Sequence, residues 1–493
     1  LIKFVEGDSG TPERKRQKLL RQLRVVDILV GMLKVLFKPP EGFAFVEGFN
    51  KTGIDLEELP NFPKLKKICQ TAYDLLAVYL DGDSRKNELY IAKYISFFQS
   101  QIGYDMHTPA MFMQLVADNQ QILDRISAQQ ISSFVFWLKK THDRSFLDFL
   151  SLLCVCEESA IPQNQQLVWD YLSAESADLG ILAQFQMQGN SISAGFKPKD
   201  AWLSLDKFSE NKTHMQYLAS QVRVMSRVCM GRNDRNIGLL SKAIPYDLVI
   251  RAIRDETVPY MLRSAFVDFV QNVFVNVKGN RRIFSNPSTT FLWDQLVAQK
   301  KVADETMSVS GAKLACYPDL RDFAVKYLSH NHVMSHEEEA QNAFTEQLFH
   351  LLSQLVNFGY YSSEDATQLV PLLIKLLDGH TDVPSHNSHL NHDELKQWRA
   401  TLRITKTRKN KAVVNAKYAG LLLLDILFNQ RAVLRTAEFL FNFKSIYNTI
   451  GQSVKMSVSK ASASLLLNLG SELASITSCV TGAMEAPPVK AYL

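Results

Sequence analysis

Apolar residues recur at three- and four-residue spacing along most of the chain, the mark of helices with one buried face. With the polar breaks between them, they predict helices over about 64–80, 84–102, 107–125, 128–140 and 143–157, and from Pro162 to about residue 187. A second set runs from about 208 to 378, its clearer members at 213–230, 244–254, 258–276, 318–328, 338–357 and 364–378. Residues 187–202 and 379–396 are polar and punctuated by Gly and Pro, and read as linkers. A last helical group covers about 397–482. Sustained alternation bounded by hairpin turns is not evident, and no fixed repeat period shows. The expectation is an all-α chain, an irregular stack of helix pairs, with regions 1–187, 203–378 and 397–482, the last continuous with the second.

The opening helix carries the first chemistry. In RKRQKLLR, Arg14, Lys18 and Arg21 fall within an arc of roughly 60° at about 100° per residue. Leu19, Leu23, Val26 and Val30 read as its buried stripe, and Pro39-Pro40 as its end. Three cations in one row repel one another, so water or an anion must offset them. A planar guanidinium fork and a compact ammonium together suit a multiply phosphorylated small molecule. A solvated basic face is the alternative.

The second cluster is Asp83-Ser84-Arg85-Lys86-Asn87-Glu88. Ser84 reads as an N-cap, and Leu89, Ile91, Ala92, Ile95 and Phe98 carry the helix on to Gly103. Arg85 and Lys86 then fall in the first turn, where the helix dipole disfavours cations but free N–H groups attract anions. Cations misplaced for stability point to a phosphate site.

These stretches resemble inositol trisphosphate receptors. Arg14–Arg21 is similar to the family's RERQKLMRE, and SRKNELYIAKYISFFQSQIGYD (84–105) to YRKNQEYIAKxxxFMQxQIGYD. Further similarities follow in order: RSFLDFLSLLCVCEESAIPQNQQ (144–166), VPYMLRSAF (258–266) and NFGYY (357–361). Together they run over roughly residues 12 to 445. Ryanodine receptors share the LCVC-type segment and the broader fold, but RKNxxYIAK and QIGYD favour the inositol trisphosphate branch. The resemblance implies an armadillo-like helical solenoid forming one wall of the ligand site. It implies phosphate contacts from Arg14, Lys18, Arg21, Ser84, Arg85 and Lys86. At position 84 the family has tyrosine; serine donates over a shorter reach. Lys15 and Arg16 point elsewhere on the helix. The implied setting is a homotetrameric calcium-release channel on the cytosolic face of the endoplasmic reticulum. There the segment would work beside β-trefoil modules and a channel domain, with no cofactor and no catalytic role.

Composition sets outer limits. The chain has 493 residues, 46% hydrophobic, enough for more than one domain. A net charge of +5 is small for that length and implies no general affinity for polyanions. The chain begins at Leu1 without a signal-like segment, which reads as a piece of something longer. Ala419–Phe428 is apolar but too short to span a membrane, so no insertion by this chain is expected. Six cysteines are too few for a disulfide scaffold; Cys69, Cys154, Cys156, Cys229, Cys316 and Cys479 read as buried thiols of a reducing compartment.

Other constellations carry less. His386, His389 and His392 stand at i, i+3, i+6 in a loop without pre-formed geometry, and no metal site is expected. His330, His332 and His336 lead into an acid-rich first turn. The run Arg403, Lys406, Arg408, Lys409 and Lys411 lacks interleaved aromatics, which argues against nucleic acid. Asp143 and Asp148 form no acid/base pair, and no phosphate loop, nucleophile elbow or HExxH occurs. The readings that stand are a ligand-binding, signal-relaying helical segment and, as alternative, a helical adaptor without a small-molecule ligand.

Overall fold

The computed structural model describes residues 1–7, 12–37, 62–82, 85–99, 101, 106–124, 126–179, 181–189, 191–196, 202–209, 211–277, 317–358, 360–361, 363–379, 382–383, 393–394, 396 and 409–429. These are mostly helical, with few short strands, as the periodicity requires. Described residues up to 423 lie in one compact unit; residues 424–429 belong to a second.

The helices are α1 (Ile2–Glu6), α2 (Arg14–Gln22), α3 (Val25–Phe37), α4 (Phe62–Leu80), α5 (Arg85–Ala92), α6 (Ile95–Gln99), α7 (Thr108–Val116), α8 (Gln120–Leu123), α9 (Ala128–Thr141) and α10 (Arg144–Leu153). Then follow α11 (Pro162–Leu179), α12 (Leu205–Ser209), α13 (Lys212–Arg227), α14 (Asp234–Ala243), α15 (Tyr246–Arg254), α16 (Tyr260–Val270), α17 (Pro318–His330), α18 (Glu339–Asn357), α19 (Ser363–Leu377) and α20 (Lys409–Asn429).

Within the first unit α4, α7, α10, α13, α16 and α18 form a row, each helix resting on the next. The row holds the core. Phe112 of α7, Phe134 of α9 and Phe149 of α10 pack ring against ring, the last two with centroids 4.0 Å apart. Helix α16 is buried all round from Leu262 to Val270, its polar residues Arg263, Ser264 and Asp268 included. Its Arg263 donates from Nε to the Ile253 carbonyl at 2.8 Å and lies over the Phe344 and Tyr260 rings.

Helix ends follow local chemistry. Ser127 and Gln130 form a capping box on α9, and Asp143 caps α10 by accepting the Ser145 N–H at 2.9 Å. That places Asp143 in a structural role, while Asp148 faces Arg223 at 3.9 Å.

Several expectations are corrected. The opening helix is two helices, broken at Leu23-Arg24, where Arg24 takes φ 54°. The break rotates α2, so Leu19 (42%) and Leu23 (60%) are exposed while Gln17 and Leu20 are buried; Val26 and Val30 are buried as expected. The helix expected at 84–102 is broken at Lys93-Tyr94, and that at 107–125 between α7 and α8. The end of 143–157 turns into a hairpin, β1 (Val155–Cys156) with β2 (Ser159–Ala160). Much of the first polar linker is sheet: β3 (Gln184–Gln188) pairs antiparallel with β4 (Ser191–Gly195), which pairs with β5 (Leu203–Ser204). In the second, Val383 donates its N–H to the Met334 carbonyl at 2.9 Å, and Asp382 is buried against Lys417 at 2.6 Å.

By length and composition α20 could cross a membrane, which the short apolar run Ala419–Phe428 did not reveal. The core helix of a soluble protein passes the same test, and Val413, Ala416, Ala419 and Leu423 form a buried stripe on α20. Gly420 meets the Phe349 ring so closely that a Cβ would come within 3.1 Å.

Candidate functional site

The basic row of α2 is set by a buried glutamine. Gln17 (1% exposed) donates from Nε2 to the carbonyls of Val78 at 3.0 Å and Asp81 at 2.6 Å. These belong to the last turn and end of α4, where carbonyls lack intrahelical partners. Gly82, at φ 94°, turns the chain there as glycine can. Anchored so, α2 directs Arg14 and Arg21 toward the connection between α4 and α5. Arg14 Nη2 donates to the Gly82 carbonyl at 3.3 Å, and Arg21 Nη1 to Asn87 Oδ1 at 2.6 Å. Asn87 in turn donates to the Tyr79 carbonyl at 3.2 Å. Burial pushes the hydroxyl of Tyr79 up, against the pull of Arg21 beside it.

Arg85 and Lys86 are the first two residues of α5, as the sequence implied. Ser84 lies outside the described residues. Arg14 and Arg21 thus reach residues on either side of the Arg85-Lys86 pair. Lys18 and Lys86 are exposed, with no ion pair among the described residues. Arg85 turns to the other flank: Nη1 meets Glu88 Oε2 at 3.2 Å and Nη2 meets Glu157 Oε1 at 3.1 Å. It lines a cleft of about 470 Å³ with Asn119, Gln120, Cys156, Glu157 and Ser159. Arg16 is held away from the row by Glu13 at 3.0 Å and by the Phe4 carbonyl at 2.6 Å.

A clamp that sequence reading missed fixes the far end of α5. Asp27 of α3 accepts from Tyr90 and Tyr94 hydroxyls, each at 2.5 Å, and from Lys93 Nζ at 3.2 Å. The Tyr90 bond, then the Tyr94 bond and Lys93, hold the Asp27 carboxyl at about 2. Lys93 lies 3.7 Å from the Tyr90 ring centroid. The available signal was Tyr90, Lys93 and Tyr94 at i, i+3, i+4, one helix turn facing an acid.

Among the described residues no group of three His, Cys, Asp or Glu could hold a metal ion. His386, His389 and His392 lie outside them. His336 is buried with Nδ1 2.6 Å from Asn410 Oδ1, and Lys409 pairs with Glu337. Cys69, Cys154, Cys156 and Cys229 are buried free thiols, and burial pushes each of them up, away from reactivity. Cys316 and Cys479 lie outside the described residues.

Residues 5–184 match the RIH domain, the region of homology of ryanodine and inositol trisphosphate receptors. The chain is 24% identical over 411 residues to an inositol 1,4,5-trisphosphate receptor of Caenorhabditis elegans, covering 77% of this chain and 14% of the relative. It is 22% identical over 310 residues to an inositol 1,4,5-trisphosphate receptor-like protein of Dictyostelium discoideum, covering 61% of this chain and 9% of that protein. The chain thus spans a small part of the length of these relatives. Its first part carries an RIH domain, and distant similarity to inositol trisphosphate receptors extends over most of its residues.

Proposed function

We propose that this chain is the trisphosphate-sensing helical segment of an inositol 1,4,5-trisphosphate-gated calcium-release channel. The observation that supports the reading is the basic row of α2 reaching the residues that flank Arg85-Lys86, within an RIH domain. Arg14, Lys18, Arg21, Arg85 and Lys86 are the phosphate ligands of this reading, with Ser84 as a shorter donor. β-Trefoil modules would supply the opposite wall, and cations on both walls sharing one anion would draw them together. Ligand shifts that equilibrium only by its differential affinity for the closed arrangement. The helical row would then relay the motion to a channel domain in a homotetramer at the cytosolic face of the endoplasmic reticulum.

Charge-assisted contacts to phosphate are each worth about 1.5–3 kcal/mol. Lys18→Gln or Arg21→Gln should therefore weaken trisphosphate binding roughly tenfold or more in isothermal titration. Arg16→Gln, tied to Glu13 and Phe4, should change it much less. Equal losses at positions 16 and 18 would favour a second reading, the helical adaptor without a ligand. That reading draws on the internal partners Arg14, Arg21 and Arg85 already possess.

A further inference from the structure

We infer that Glu157 is an internal competitor for the guanidinium of Arg85 and thereby sets the affinity of this face for a polyphosphate. The inference rests on the trisphosphate reading above and adds a control to it.

The two carboxylates on Arg85 differ in kind. Glu88 is buried, its side chain 2% exposed, and its Oε2 also accepts from Asn119 Nδ2, the residue that caps α8. It is part of the packing. The side chain of Glu157 is 72% exposed and, among the described residues, is tied by a single 3.1 Å contact to Arg85. An exposed ion pair of this kind is weak, and a phosphate dianion offers the guanidinium a stronger, forked partner. Glu88 therefore stays with Arg85, and Glu157 is the partner that a phosphate can replace.

The backbone beneath Glu157 marks the residue out. Glu157 and Glu158 are the two central residues of the β1–β2 turn, at φ 46° and 61°. Two-residue turns of this form favour Asn, Asp and Gly, because other side chains are crowded in the left-handed region. Glutamates at both positions carry a steric cost that the turn does not need. Asp118 accepts the Glu157 N–H at 2.8 Å, so the turn is held through the backbone and not through the carboxylate. The acid stands at the rim of the cleft that Arg85 lines with Asn119, Gln120 and Ser159. There it neutralises Arg85 and repels an arriving polyanion. Among the described residues Arg14 and Arg21 meet a neutral carbonyl and a neutral amide, so their charge stays available.

The test is isothermal titration of the full chain with inositol 1,4,5-trisphosphate, comparing wild type with Glu157→Gln, Glu157→Asn and Glu158→Gln. Both changes at position 157 should tighten binding about three- to tenfold, from the lost ion pair and repulsion. Glu158→Gln should stay within about twofold, because an exposed charge without the Arg85 contact acts only through screened repulsion. Asparagine tolerates the left-handed backbone and guards against a loosened turn. In an Arg85→Gln background the gain from Glu157→Gln should shrink to within about twofold, the part owed to screened repulsion alone. A wild type that binds, with position-157 variants no tighter, overturns the competitor while leaving the ligand reading intact. So does an equal gain from Glu158→Gln, or a gain that survives Arg85→Gln in full. Absence of binding by every variant overturns the ligand reading itself, and the competitor with it.

Discussion

Gln17 and Gln165 perform the same task in two regions and perform it unequally. Each is a buried glutamine on one helix whose Nε2 forks onto carbonyls at the C-terminal end of another. Gln17 ties α2 to the end of α4. Gln165 ties α11 to the end of α13, donating to the Arg227 carbonyl at 2.8 Å and the Met230 carbonyl at 2.9 Å. The difference lies at the other end of the amide. Oε1 of Gln165 accepts from Asn233 Nδ2 at 3.2 Å, so every polar atom of that amide is used. Oε1 of Gln17 is buried and meets no donor among the described residues. Each clasp ties an outer helix to a member of the row, and the closed one holds α11 to α13. The open one holds the helix that carries Arg14, Lys18 and Arg21, so the basic row sits on the less firmly held element.

The largest effect should come from opening the closed clasp. Gln165→Ala strips two carbonyls and Asn233 of their partner, and should lower the unfolding free energy in urea by about 3 kcal/mol. Gln17→Ala should cost less, about 1–2 kcal/mol, because the amide it removes was already incompletely satisfied. It should also weaken trisphosphate binding, which Gln165→Ala should not; equal binding losses in the two would break the comparison.

A smaller effect concerns pH. The folded carboxyl of Asp27 is held at about 2, below its unfolded value, so the clamp stabilises the fold above about pH 4. That stabilisation is lost as pH falls through 2. Thermal melts of wild type and Asp27→Asn should differ by an amount on the order of 1 kcal/mol at pH 5. The two curves should converge by about pH 2. A gap that persists there would place the clamp's worth in packing and not in charge.

Much of this was legible in the sequence, for reasons that particular residues show. Helix starts at Arg85, Ala128, Arg144 and Pro318 carried local signals, and the i, i+4, i+7 spacing of Arg14, Lys18 and Arg21 needed only helix geometry. The rotation of α2 was not legible, because a buried polar residue, Gln17, sets it through a distant helix end. Nor was the break at Arg24, an arginine in a left-handed conformation without Gly or Pro to announce it. The hairpin at 184–195 did carry a signal. Gln184 to Gln188 alternates polar and apolar residues and is followed in the sequence by Gly-Asn, a turn signal, with Gly189 at φ 59°. Reading the segment by composition, as a linker, hid it. The partner of Arg85 at Glu157 depends on a turn 72 residues away and no local pattern reports it.

The row of α4, α7, α10, α13, α16 and α18 has a consequence for how the chain is made. Each of these helices rests on the one before it in the row, so a helix leaving the ribosome meets a surface already built. Assembly in that order asks for little loop closure at each step and shields the apolar side of each helix as it emerges. The growing end alone stays exposed, and the next helix of the row covers it.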